Sequence, residues 1–172
     1  MDLNYVVERL AANATIFESL AKGLVGDQGS WKPASDKWSI LEVINHLYDE
    51  EREDFRQRLQ LVLTDAALAW PPIAPQEWVA SRAYSDRDLG KSLDNFLSER
   101  QKSLAWLRTL SSPNLESRHE REAGSLSAGD LLASWLAHDF LHIRQLTRLH
   151  WQYLTANANP FKTEYAGPWK EA

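Results

Sequence analysis

A bundle of four α-helices is the fold this sequence predicts, and three observations predict it. Four long segments repeat apolar residues at helical spacing, and three of them open on recognisable cap signals. No stretch alternates apolar and polar residues for long enough to build a sheet. Four amphipathic segments joined by loops bury their stripes most simply against one another.

The first segment runs from about Asp2 to Lys22, with Leu3, Val6, Leu10, Phe17 and Leu20 on one stripe, and Gly23, Gly26 and Gly29 end it. The second opens on Ser39 and Glu42, a Ser-x-x-Glu capping box, with Trp38 and Val43 placed as a hydrophobic staple. It extends to about Leu63. Pro71, Pro72 and Pro75 then mark residues 70–84 as a loop. The third starts at Ser85-Asp-Arg-Asp88, an Asp variant of the box with Tyr84 and Leu89 as staple, and carries Leu89, Leu93, Phe96, Arg100, Leu104 and Leu107. After a polar loop over 111–126, the fourth opens at Ser127-Ala-Gly-Asp130 and runs to about Tyr153. Its stripe includes Leu131, Trp135, His138, His142, Leu146 and Leu149. The tail from Ala156 to Ala172, with Pro160, Gly167 and Pro168, reads as irregular chain.

The 172 residues fit one domain over positions 1–172, and 44% hydrophobic with 25% charged residues is a globular composition. A net charge of −5 without a basic run repels phosphate backbones, so nucleic acid is not an expected partner. The chain has no cysteine, which excludes disulfides, iron–sulfur clusters, thiolate metal sites and a cysteine nucleophile. Neither a signal peptide nor a membrane span is legible, so the expected location is cytoplasmic.

Three histidines carry the functional signal. His138 and His142 are one helical turn apart, which sets their Cβ atoms roughly 5–6 Å from each other on one face. That face is the apolar stripe of the fourth segment, so both imidazoles point inward. His46 lies about two turns into the second segment, and a neighbouring packing of segments two and four lets all three converge. Two satisfied core imidazoles are the competing reading of the pair. Three histidine ligands leave coordination positions open, a catalytic rather than a structural arrangement. Neutral imidazole suits zinc, nickel and ferrous iron alike.

Two better-known helical metal motifs fail here. His138-Asp-Phe-Leu-His142 has zincin spacing, but Asp139 stands where the catalytic Glu belongs. The one clear Glu-x-x-His, Glu116-Ser-Arg-His119, falls in a loop, so a di-iron carboxylate bundle is not indicated. Glu50 and Asp49 stand four and three residues after His46, where either can orient that imidazole or serve as general base. A solvated helix face is their alternative. Arg100 interrupts an apolar stripe, reaching an interior anion or snorkelling outward along its aliphatic stem. His119 and His150 read as surface histidines. The eight tryptophans read mainly as core and staple residues.

The stretches Lys37-Trp-Ser-Ile-Leu-Glu-Val-Ile-Asn-His-Leu47 and His138-Asp-Phe-Leu-His-Ile-Arg-Gln-Leu146 resemble the DinB-like family of metal-binding four-helix bundles. The ending Tyr-Ala-Gly-Pro-Trp169 is similar to the close of many members, and the resemblance spans about residues 3–169. It implies a DinB-like bundle with His46, His138 and His142 as the metal triad. The implied ion is zinc or nickel, with iron or manganese as further candidates. It also implies a homodimer, and a chemistry found among thiol-dependent S-transferases and isomerases that use mycothiol or bacillithiol.

The expected function is therefore that of a metal-dependent enzyme acting on a small molecule. A divalent ion lowers the pKa of a bound water, or of a low-molecular-weight thiol from its reference of about 8.5, for hydrolysis or transfer. Glu50 or Asp49 is the base in the hydrolytic version. The alternative is a non-enzymatic, stress-related bundle that holds a metal or ligand.

Overall fold

The computed structural model describes residues 2–170 and has four long helical rods. The first is α1, Leu3–Ala21, capped by the Asp2 side chain accepting from the Asn4 amide. The second is continuous from Ile40 to Thr64: α2 (Ile40–Asp49), a π-helical stretch (Glu50–Phe55) and α3 (Arg56–Thr64). A short α4, Pro75–Ser81, leads to α5, Leu89–Thr109, and the last rod is α6, Ala128–Asn157. α1 packs against α5 and α6, while the second rod meets α5 through α2 and α6 through α3. This is the four-helix bundle the periodicity predicts.

Both capping boxes form. Ser39 accepts from the Glu42 amide at 3.2 Å while Glu42 accepts from the Ser39 amide at 2.8 Å. Ser127 and Asp130 repeat the exchange at 3.0 and 2.9 Å. The third start differs. Asp88 itself caps α5, accepting from the Lys91 amide at 2.7 Å, whereas Ser85 lies in a 3₁₀ turn over Tyr84–Asp86. Tyr84 is no staple: it is fully buried and donates its hydroxyl to Asp49 at 2.5 Å.

Two other loop expectations are corrected. Pro75 occupies the first turn of α4, where its missing amide costs nothing, so a proline read as a breaker begins a helix. Within 111–126, Arg118–His119 pairs antiparallel with Leu126–Ser127. The last helix also continues to Asn157, four residues past the expected end.

The interior has two apolar clusters. One gathers Leu10, Leu59, Leu104, Leu132 and Trp135; the other gathers Phe17, Ile44, Phe96 and Leu146. Between them, at intermediate positions along all four rods, lies a polar layer of Asn13, Glu51, Arg100 and Asp139. Arg100 is 1% exposed, so it does not snorkel. It donates to Glu51 at 2.9 Å, to both Asp139 oxygens at 2.7 and 2.8 Å, and to the Leu10 carbonyl at 3.1 Å. Asn13 and Trp135 add donors to Asp139 and Glu51 at 3.1 and 3.0 Å. No described helix is long and apolar enough to cross a membrane.

Candidate metal centre

The π-helical stretch matters because its wider turns rotate α3 relative to α2. Directly after the helix that carries His46, it buries Glu50, Glu51 and Asp54 together. Glu51 joins the Arg100 layer, and Glu50 lines the pocket over the histidines. A 3.6-residue stripe carries no trace of this phase change. The charge run at 49–54 is its only sign in the sequence, and that run equally describes a solvated face.

His46, His138 and His142 do converge. The Nε2 atoms of His46 and His138 are 3.3 Å apart, and those of His138 and His142 are 3.1 Å apart. The ligand atoms of the three all lie within 4.8 Å of one another. Two nitrogens bound at 2.0–2.1 Å are separated by about 3.4 Å in a tetrahedral site and about 2.9 Å across an octahedral edge, and the two short separations fall between. The remaining His46–His142 separation, within 4.8 Å, need only close somewhat for the three to hold one ion.

Their surroundings keep them as neutral ligands. The tilted ring of Phe55 (5.1 Å from His138) is buried against the cluster, and that of Trp38 (4.9 Å from His46), half-buried, lines the pocket beside it. Burial, then the proximity of His142, holds His46 down to about 3. The same two causes hold His138 to about 2, and burial lowers His142. Lone pairs are thus available at neutral pH, as ligation requires. His142 Nδ1 lies 2.8 Å from the Gln145 side-chain oxygen; with the proton on Nδ1, this contact fixes its Nε2 as the free lone pair. His46 Nδ1 is buried and has no partner among the described residues.

The two carboxylates expected beside His46 have different environments. Glu50 is buried, and its Oε1 has no hydrogen-bond partner among the described residues. Burial, reinforced by Asp54, pushes its carboxyl up to about 8. Asp49 is fully engaged elsewhere: Arg52 donates to it at 2.9 Å, Arg82 pairs with it at 2.7 Å, and Tyr84 closes the set. These bonds tie the 75–86 segment to the end of α2, and Pro75 and Gln76 of that segment line the mouth of the pocket. The pocket has a volume of about 500 Å³ and is lined by the three histidines and Glu50 together.

His119 is buried, and His150 is half-buried at the edge of a surface pocket. His119 stacks on Trp70 at 4.3 Å and bonds the Ala66 carbonyl at 2.8 Å; His150 lies between Gln28 (3.0 Å) and the Leu20 carbonyl (2.7 Å). Both are satisfied structural imidazoles, and their partners come from segments whose path the sequence does not reveal.

The fold and these histidines define a helical bundle with a three-histidine centre open to a pocket. The chain belongs to the DinB superfamily, whose family model matches residues 9–146. Among solved structures it is similar to YfiT from Bacillus subtilis, described as a probable metal-dependent hydrolase with an unusual four-helix bundle topology. The two share 19% identity with a TM-score of 0.75 over 86% of this chain and 85% of that one. At that identity the likeness speaks for the fold. No curated protein matches the sequence.

Proposed function

We propose that this protein is a metal-dependent hydrolase of a small molecule, holding a divalent cation on His46, His138 and His142. The observation that carries the reading is the convergence of three neutral imidazoles on a pocket that the buried carboxyl of Glu50 also lines. YfiT's description points the same way. When bound, the cation supplies Lewis acidity, lowering the pKa of a water or polarising a substrate carbonyl or phosphoryl oxygen. Zinc or nickel is the expected ion, with iron or manganese as further candidates.

The residues divide the remaining work. Positive charge at the histidines favours the carboxylate form of Glu50. Its carboxylate then takes a proton from the attacking water and returns it to the leaving group. Asp49, engaged by Arg52, Arg82 and Tyr84, positions the 75–86 wall. Phe55 keeps bulk water from the buried side of His138, and Trp38 flanks His46 on the pocket wall.

Turnover of carboxylic and phosphoric esters by metal-loaded protein, with and without added low-molecular-weight thiol, tests the proposal. Hydrolysis that ignores thiol, disappears on chelation and falls roughly 10²–10⁴-fold in Glu50→Gln is the expected result. Turnover only with thiol would make the protein the transferase that the family resemblance also implies. Metal binding without turnover in either arm would favour a non-enzymatic bundle. The homodimer implied by the resemblance belongs to the same proposal, and sedimentation would test it.

A further inference from the structure

A second pocket, of about 620 Å³, adjoins the first and shares His142 and Gln145 with it. Leu141, Arg144 and Arg148 continue its α6 wall, and Trp169 and Lys170 of the C-terminal tail close the other side. Residues 141, 144, 145 and 148 recur at helical spacing, so this wall is one face of α6. Three of its side chains are cationic and, among the described residues, none is acidic, in a chain of net charge −5. Arg144 and Lys170 form no ion pair among the described residues. Trp169 contributes an apolar flank and is held by Trp151, ring to ring at 5.7 Å.

Resting on the reading of the triad as a reaction centre, we propose that this groove binds the anionic end of the substrate. The substrate class is a small molecule with a carboxylate, sulfonate or phosphate joined to an apolar or aromatic portion. Its acid group sits against Arg144 and Lys170 and its apolar part against Trp169 and Leu141. A rise of 1.5 Å per residue places Arg144 about 3 Å and Arg148 about 9 Å beyond His142 along the axis. His142 and Gln145 line both pockets, so the acid group and the reacting bond sit in adjoining parts of one cleft. Guanidinium groups provide the planar, paired donors that such oxyanions accept.

The test compares two fluorescent probes that share one ring system: anionic 8-anilinonaphthalene-1-sulfonate and neutral N-phenyl-1-naphthylamine. Both are titrated into wild type, Arg144→Gln/Lys170→Gln, and a control lacking two remote cations, Lys22→Gln/Arg108→Gln. The groove predicts that the sulfonate probe weakens roughly tenfold or more in the first variant, the scale of one lost charge-assisted contact. It also predicts a change under about twofold for the neutral probe and for the control. Equal losses for both probes, equal losses in the control, or no loss in Arg144→Gln/Lys170→Gln would overturn the proposal. A His46→Ala arm separates the two readings, because His46 lies outside this groove. Metal retained in His46→Ala with the sulfonate result intact would sink the metal reading alone, and metal lost with no sulfonate effect would sink the groove alone.

Discussion

Arg100 grips both carboxylate oxygens of Asp139, at 2.7 and 2.8 Å, and Asp139 directly follows His138 on the helix that presents two of the three histidines to the pocket. With Glu51 as the second acceptor, this pair makes a wholly buried ionic layer between the two apolar clusters. Such a layer is weak evidence for stability, but removing one member leaves the others charged and unpaired.

Arg100→Met should therefore destabilise the protein by about 3–5 kcal/mol, far more than its lost packing. Urea unfolding measures it. A loss below about 1 kcal/mol would mean that Glu51 and Asp139 find other partners.

The metal-free protein should lose stability on acidification below pH 6.5. His46 and His138 titrate near 6.5 when unfolded but only near 3 and 2 when folded, and His142 is lowered as well. Between those values the unfolded chain binds more protons, so stability falls as pH falls. Each histidine contributes at most about 1.4 kcal/mol per pH unit. Urea midpoints of chelator-treated protein at pH 7 and pH 5 check this, and equal midpoints would contradict it.

Glu50 has the opposite sign. Its folded carboxyl titrates near 8 against 4.5 ordinarily, so burial costs stability that grows as pH rises from 4.5 to 8. Metal-free Glu50→Gln should melt above wild type at pH 8, and the gap should close toward pH 4.5. A melting temperature lower than wild type at pH 8 would show that the carboxylate is satisfied after all.

The two capping boxes give a local prediction. Ser39→Ala and Ser127→Ala should each cost about 1 kcal/mol, with metal content unchanged. Thermal melts with elemental analysis would record both.

Much of the bundle is legible in the sequence because its signals are local: apolar residues every three or four positions, and Ser-x-x-Glu or Ser-x-x-Asp at two helix starts. The triad is legible for the same reason, since His138 and His142 lie on a stripe whose inward direction Trp135 and Leu146 declare. The features that escape depend on distant partners. Ser85 satisfies a cap pattern, but Tyr84 is drawn to Asp49 across 35 residues, and Asp88 takes the cap. His119 and His150 acquire burial from Trp70 and from α1, which no spacing encodes. The partners of Arg100 lie 39 and 49 residues away, and the π-helical turn that delivers one of them breaks the very period used to find helices.

The most direct test is elemental analysis of protein purified without chelator or nickel resin, beside His46→Ala, His138→Ala and His142→Ala. Near-stoichiometric divalent metal in wild type, lost in all three variants, is the predicted result. Metal retained in all three variants, or none taken up by wild type on reconstitution, would contradict a metal centre at these histidines.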